Sequence, residues 1–135
     1  MKTNKQALTI PLPDSNEAFK VIHVSKKTPF NKLSVVSKEE IRFIAFGDIL
    51  YCKSSGNYTT IFTREQKPFL CSKTLKDIEA NLPQDYFYRI HQSYLINLQC
   101  ITALKKQPCE IELDNQFFIP FSREKKPALY KLLNV

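Results

Sequence analysis

Residues 87–98 read Phe-Tyr-Arg-Ile-His-Gln-Ser-Tyr-Leu-Ile-Asn-Leu, with Arg89, His91, Gln92 and Ser93 gathered between two apolar runs. Polar groups concentrated between two strand-like runs mark an exposed loop. A glutamine amide has the geometry to donate and accept at adenine N6 and N7, and an arginine fork binds phosphate or guanine. The same residue types also make an ordinary solvated turn, so composition alone leaves both readings open.

Other chemistry is poorly supplied. Cys100 and His91 are conceivable as nucleophile and base, but Cys100 sits in an apolar run and is expected in a strand core. There is no G-x-S-x-G, no Walker-type loop and no pair of carboxylates in an apolar setting. Asp77 and Glu79 fall on a short amphipathic segment and read as solvated. The four cysteines, Cys52, Cys71, Cys100 and Cys109, form no C-x-x-C, and only His23 and His91 accompany them. Buried reduced thiols in a reducing cytoplasm are therefore expected, with no catalytic residue, no metal site and no cofactor.

The elements that must hold these residues are mostly strands. Short runs rich in Ile, Val, Phe and Tyr recur at Leu33–Val36, Ile41–Phe46, Asp48–Cys52, Tyr58–Phe62, Phe69–Cys71, Phe87–Ile90, Tyr94–Ile96, Cys100–Leu104, Cys109–Leu113 and Phe117–Phe121. Ser54-Ser55-Gly56-Asn57 and Asp114-Asn115 supply turns, the second placing a two-residue hairpin. One segment breaks the β pattern. Leu75, Ile78 and Leu82 share a helical face, Thr74 is the expected N-cap with Asp77 at the box position, and Pro83 stops the helix. Ala128, Leu129, Leu132 and Leu133 predict a C-terminal helix starting near Ser122, with Pro127 in its first turn.

The 135 residues, 43% of them hydrophobic, suit one domain with a real core and contain no run of membrane-spanning length. Lys plus Arg number 20 against 13 acids, a net charge of +7 that favours an anionic partner, with nucleic acid ahead of a membrane surface. Residues 1–32 carry six Lys and two acids, a net of +4; residues 33–135 carry 14 basic and 11 acidic groups, a net of +3. Residues 1–32, interrupted by Pro11, Pro13 and Pro29, read as a basic extension or linker with a short strand at Phe19–Val24. Residues 33–135 read as the folded domain.

Several of these stretches, in this order and spacing, resemble the LytTR family of bacterial DNA-binding domains. They are Asp48-Ile49-Leu50-Tyr51, Gly56-Asn57-Tyr58-Thr59, the helix ending in Leu82-Pro83, Phe87–Leu98 and Ile119-Pro120-Phe121-Ser122-Arg123. The resemblance covers residues 33–135. It implies a mainly β fold, an elongated arrangement of small antiparallel β-sheets with one short inserted helix and a short C-terminal one. It implies a sequence-specific transcriptional regulator that reads double-stranded promoter DNA through loops in successive major grooves, usually at direct repeats, where a homodimer fits. By position, the base contacts are Tyr58, Gln92 and Arg123. Phosphate contacts are expected from Lys53, Asn57, Lys73, Lys76, Arg89, His91, Lys125 and Lys126.

Some assignments have structural alternatives. Tyr58 serves equally as a buried ring, Arg123 as a surface ion pair with Glu124 or Asp114, and His91 as a brace holding its loop through a backbone hydrogen bond. Asn97 and Ser93 are expected to bond turn backbone. The family often has Arg after the histidine; Gln92 at that place shifts the preference from guanine or phosphate towards adenine. The family commonly joins this domain to a phosphorylatable receiver domain, for which 32 preceding residues are too few, so a stand-alone regulator or a fragment is expected. No membrane partner and no small-molecule substrate are expected. The rival reading is a protein-interaction β module that does not bind DNA.

Overall fold

β-branched and aromatic side chains favour strands, and here they fill both faces of one sheet. The structure, a computed structural model, describes residues 20–22, 24–64 and 67–135. The strands are β1 (Lys20–Ile22), β2 (Val24–Lys27), β3 (Lys32–Val36), β4 (Ile41–Ala45), β5 (Ile49–Ser55), β6 (Tyr58–Thr63), β7 (Phe69–Cys71), β8 (Phe87–His91), β9 (Tyr94–Asn97), β10 (Ile101–Lys106), β11 (Cys109–Leu113) and β12 (Phe117–Pro120). Helix α1 (Leu75–Glu79) lies between β7 and β8, and α2 (Lys126–Leu133) ends the chain after a 3-10 turn at Arg123–Lys125. A six-stranded sheet in the order β1-β7-β6-β5-β9-β8 forms the centre, with three-stranded sheets β2-β3-β4 and β10-β11-β12 beside it. Among the described residues β1 and β7 pair in parallel and the other pairings are antiparallel. The mainly β class with an inserted and a terminal helix is as the sequence implies.

Two core clusters lie against the central sheet. Ile49, Cys52, Ile61 and Leu95 pack with Leu75 and Ile78 of α1 and with Leu33, Val35 and Ile44 of the β2–β4 sheet. Leu50, Tyr51, Phe62 and Ile96 pack instead with Ile111, Leu113, Phe117 and Ile119 of the β10–β12 sheet and with Leu129 of α2. The β5–β6 register shifts between Ile49 and Tyr51, a bulge that puts Leu50 and Tyr51 in the same cluster. Tyr51 stacks on Phe62 at 4.4 Å between centroids, and Phe117 closes against Tyr51 at 5.7 Å.

The caps and turns follow local chemistry. Thr74 Oγ1 accepts the Asp77 amide at 3.2 Å, as an N-cap must. α1 is shorter than the periodicity predicts: beyond Glu79 the chain tightens into i→i−3 bonds, Asn81 N–H to Ile78 O and Leu82 N–H to Glu79 O. That tightening lets Leu82 stay buried just ahead of Pro83. The β11–β12 hairpin closes on the Leu113–Phe117 pair, so its loop is Asp114-Asn115-Gln116, one residue longer than the sequence predicts, with Asp114 and Asn115 at positive φ, 54° and 60°. Ser122 occupies the N-cap position of the terminal 3-10 turn without a side-chain cap bond, and Pro127 falls in the first turn of α2. Strands β1 and β2 lie within residues 1–32, so part of the segment read as an extension is paired into sheets and contributes Ile22 to the core. Residues 1–19, with Pro11 and Pro13, and His23 lie outside the described residues. No helix among the described residues is long and apolar enough to cross a membrane.

Three-dimensional closure rests on two polar clamps. Asn97 is fully buried; its Nδ2 donates to the carbonyls of Ile49 at 2.9 Å and Phe46 at 3.3 Å, and its Oδ1 accepts the Gln99 amide at 2.8 Å. Arg64 ties the turn Phe46–Asp48 to the β11–β12 hairpin through the Gly47 carbonyl, Asp48 at 3.6 Å and Asp114 at 3.5 Å. Removing the Asn97 amide takes a donor from each of two carbonyls and the acceptor from the Gln99 amide. Asn97→Ala is expected to lower unfolding free energy by about 2–3 kcal/mol in a urea titration, well beyond the cost of an exposed polar truncation.

Candidate nucleic-acid interface

β5 turns into β6 at Gly56-Asn57, and β8 turns into β9 at Gln92-Ser93. β5 and β9 are antiparallel neighbours with Lys53 opposite Tyr94, so both hairpin tips emerge at the same end of the central sheet. The Ser54 amide donates to the Ser93 carbonyl at 2.9 Å and binds one tip to the other. Gly56 supplies the positive φ, 63°, that the first tip requires. Thr59 Oγ1 donates to the Lys73 carbonyl at 2.7 Å and brings that lysine beside the same end.

Most of the sequence-predicted residues meet here. Tyr58 is 46% exposed, outside both core clusters. Asn57, Lys73, His91 and Gln92 are exposed, and Lys53 is half-buried with its Nζ 5.9 Å from the Tyr94 ring centre. Lys76 is exposed on α1. Arg123, Lys125 and Lys126 form a separate group at the start of the C-terminal helix, with Lys125 Nζ 6.0 Å from the ring centre of Tyr88 on β8. The sequence contains four arginines. Arg42 is paired with Glu40, Arg64 with Asp48 and Asp114, and Arg89 with Glu79. Arg123 is exposed and has no ion pair among the described residues; the Asp114 considered as its partner serves Arg64.

The Arg89 guanidinium is already engaged. Its Nε donates to the His91 carbonyl at 3.2 Å, its Nη2 to the Gln92 carbonyl at 2.7 Å, and its Nη1 to Glu79 Oε1 at 3.3 Å. His91 Nδ1 accepts the Ser93 amide at 3.0 Å, the brace anticipated from the sequence. That bond places the imidazole proton on Nε2, leaving an N–H donor on an exposed ring. The carbonyls of residues 91, 92 and 93 thus all have donors from outside the tip, and the loop projects side chains from a fixed backbone. Sequence reasoning treated Glu79 as a solvated carboxylate and missed its link to Arg89. No local signal announces it, because the pair depends on how α1 crosses the sheet.

Cys100 is 3% exposed, its thiol directed at the carbonyls of Gly47 and Ile49. Burial pushes its pKa up, and the nearby Arg64 offsets this in part. Burial likewise raises that of Cys52. Thiols held protonated are poor nucleophiles, which suits core packing. Cys52, Cys71 and Cys100 are buried and Cys109 is half-buried, and each is a thiol rather than half of a disulfide.

These features define a β domain with two hairpin tips and a helix start exposed at its surface. The LytTr DNA-binding domain family matches residues 39–134, and the chain belongs to that family. It is 31% identical over 108 residues to the heme-containing CO-sensing transcriptional regulator RcoM 1 of Paraburkholderia xenovorans (strain LB400), covering 77% of this chain and 40% of that protein. It is 30% identical over 82 residues to the transcriptional regulatory protein NatR of Bacillus subtilis (strain 168), covering 58% of this chain and 35% of that protein. The matched region therefore spans two-fifths or less of these relatives. Among solved structures, the LytTr DNA-binding domain of a methyl-accepting/DNA response regulator from Bacillus cereus shares the fold. Its TM-score is 0.65 at 21% identity, over 78% of this chain and 98% of that one.

Because Tyr58, Gln92 and Arg123 project outward without supporting the core, truncating each to Ala is expected to change unfolding free energy by less than about 0.5 kcal/mol. Urea titration of the three variants checks this before any binding is compared.

Proposed function

We propose that this chain is the sequence-specific, double-stranded DNA-binding part of a bacterial transcriptional regulator acting in the cytoplasm. It reads promoter DNA with loops in the major groove. The observation that carries the reading is the Gln92 tip, where an exposed amide side chain stands on a backbone whose three carbonyls are already bonded. A glutamine amide so held offers the paired donor and acceptor that adenine N6 and N7 require. His91 Nε2–H beside it donates to a phosphate or a base acceptor, and Tyr58 lays an aromatic edge against a base step. Lys53, Asn57, Lys73 and Lys76 grip the backbone around this first group.

Arg123 leads the second group, reading guanine through its unengaged fork while Lys125 and Lys126 take phosphates. Two groups on separate elements suit two successive major grooves, which recur on one face of B-DNA about every 34 Å. Direct repeats bound by two copies of the chain extend the same arrangement. The family membership supports DNA over a protein partner, and salt-dependent gel shifts on promoter fragments distinguish the two. Selection of bound fragments from a genomic library supplies the site.

On that site, Arg123→Ala is expected to weaken binding by about 1–3 kcal/mol and relax preference at one base position. Lys76→Ala is expected to weaken binding to all sequences and reduce the slope of log K against log salt by about 0.9. Fluorescence anisotropy over a salt series separates the two effects, and unchanged binding by the Arg123 variant counts against the assignment.

A further inference from the structure

We propose that Glu79 is a positioning residue for sequence reading, acting through Arg89 to hold the Gln92 tip in its binding shape. The inference rests on the DNA reading above and assigns a role within it to a residue on a different element from the tip.

Arg89 opens the irregular end of β8, where the β8–β9 register shifts between Arg89 and His91. Such a bulge frees the local backbone from its ladder and leaves carbonyls to be satisfied elsewhere. Arg89 reaches forward two and three residues to take the carbonyls of His91 and Gln92. Its third contact is Glu79 Oε1, at the end of α1. Glu79 follows Ile78, which is fully buried in the core beneath the helix, so the carboxylate stands on an anchored base. The Arg89 and Glu79 side chains are 34% and 27% exposed, too open for the pair to matter much to folding but sheltered enough to orient a planar fork. The fork's plane decides whether both carbonyls are met at once. Losing the carboxylate lets the guanidinium rotate, and the tip then samples several shapes, only one of which presents Gln92 to a base. Phosphate contacts made by lysines elsewhere are insensitive to that change.

This scheme separates Glu79 from an ordinary surface acid. A carboxylate near bound DNA only repels it, so its removal strengthens binding to every sequence. The positioning role predicts a split: in Glu79→Gln, affinity for unrelated DNA holds or rises. The ratio of specific to non-specific affinity falls roughly two- to tenfold, the weight of one or two side chains no longer held in place. The loss should vanish in the Gln92→Ala background, because the held side chain is gone. The experiment is anisotropy on the selected site and on scrambled DNA with wild type, Glu79→Gln, Gln92→Ala and the double variant. Thermal unfolding and amide hydrogen exchange at Ser93 are followed alongside.

Loss of the ratio in Glu79→Gln alone, no further loss in the double variant, and faster Ser93 exchange at an unchanged unfolding midpoint support the role. An unchanged ratio, or losses that simply add, overturn it. Should wild type show no preference for any DNA, the DNA reading falls. Ser93 exchange then decides the clamp by itself: faster exchange in Glu79→Gln upholds it as a device that shapes the tip, and unchanged exchange overturns it.

Discussion

The six-stranded sheet is covered on both sides, by α1 and the β2–β4 sheet on one and by the β10–β12 sheet and α2 on the other. Burying apolar area contributes about 25 cal/mol per Å², so residues on these faces are committed to packing and are unavailable for recognition. Polar chemistry is driven to the ends of the strands. The β5–β9 pairing then decides which ends meet, since antiparallel neighbours bring alternate hairpin tips to the same side. The candidate interface is a geometric consequence of a sheet with no free face. α2 extends the same logic: Leu129 is fully buried in the second cluster, which holds the preceding turn and Arg123 in a fixed place on the surface.

Irregularity in the strands is confined to places where it re-aims side chains. The bulge in β5 sends Leu50 and Tyr51 to one cluster and lets β5 serve both cores. The shift at the end of β8 releases the backbone of residues 91–93, and four hydrogen bonds from outside the ladder replace the lost ones. A loop without these bonds would leave polar backbone to water; here the backbone beneath the Gln92 side chain is bonded by Arg89, His91 and Ser54.

The strands were legible in the sequence because β-branched and aromatic runs are short and turn residues punctuate them. Thr74, Pro83, Asp114-Asn115 and Pro127 also announced their roles, each through a local conformational preference. The length of α1 was not legible: the spacing of Leu82 fits a helix, while a tighter turn before Pro83 buries the same side chain at lower cost. Sheet membership was hidden as well, since nothing local says that β5 pairs with β9 or that β1 lies along β7. For the site, the residue types at Gln92, Tyr58 and Arg123 carried the signal, and family resemblance gave it meaning. Arg89 shows the limit. Its type fits a phosphate contact, and only the three-dimensional arrangement reveals that its donors face the loop and Glu79.

Charge makes the same point from the other direction. A net of +3 over residues 33–135 is too small for bulk attraction to single out a DNA-binding face. What distinguishes that face is which cations are already spent. Carboxylates hold Arg42, Arg64 and Arg89 in structural pairs, and Arg123 stands exposed with no such partner among the described residues. Arginine matters most where a fork must match two acceptors at fixed spacing, and a fork already bonded to a carboxylate gains little by exchanging it for a phosphate. The ion pairs therefore act as a sorting device. They withdraw three guanidiniums from the surface field, so the remaining one and the exposed lysines are the cations left open to an anionic partner.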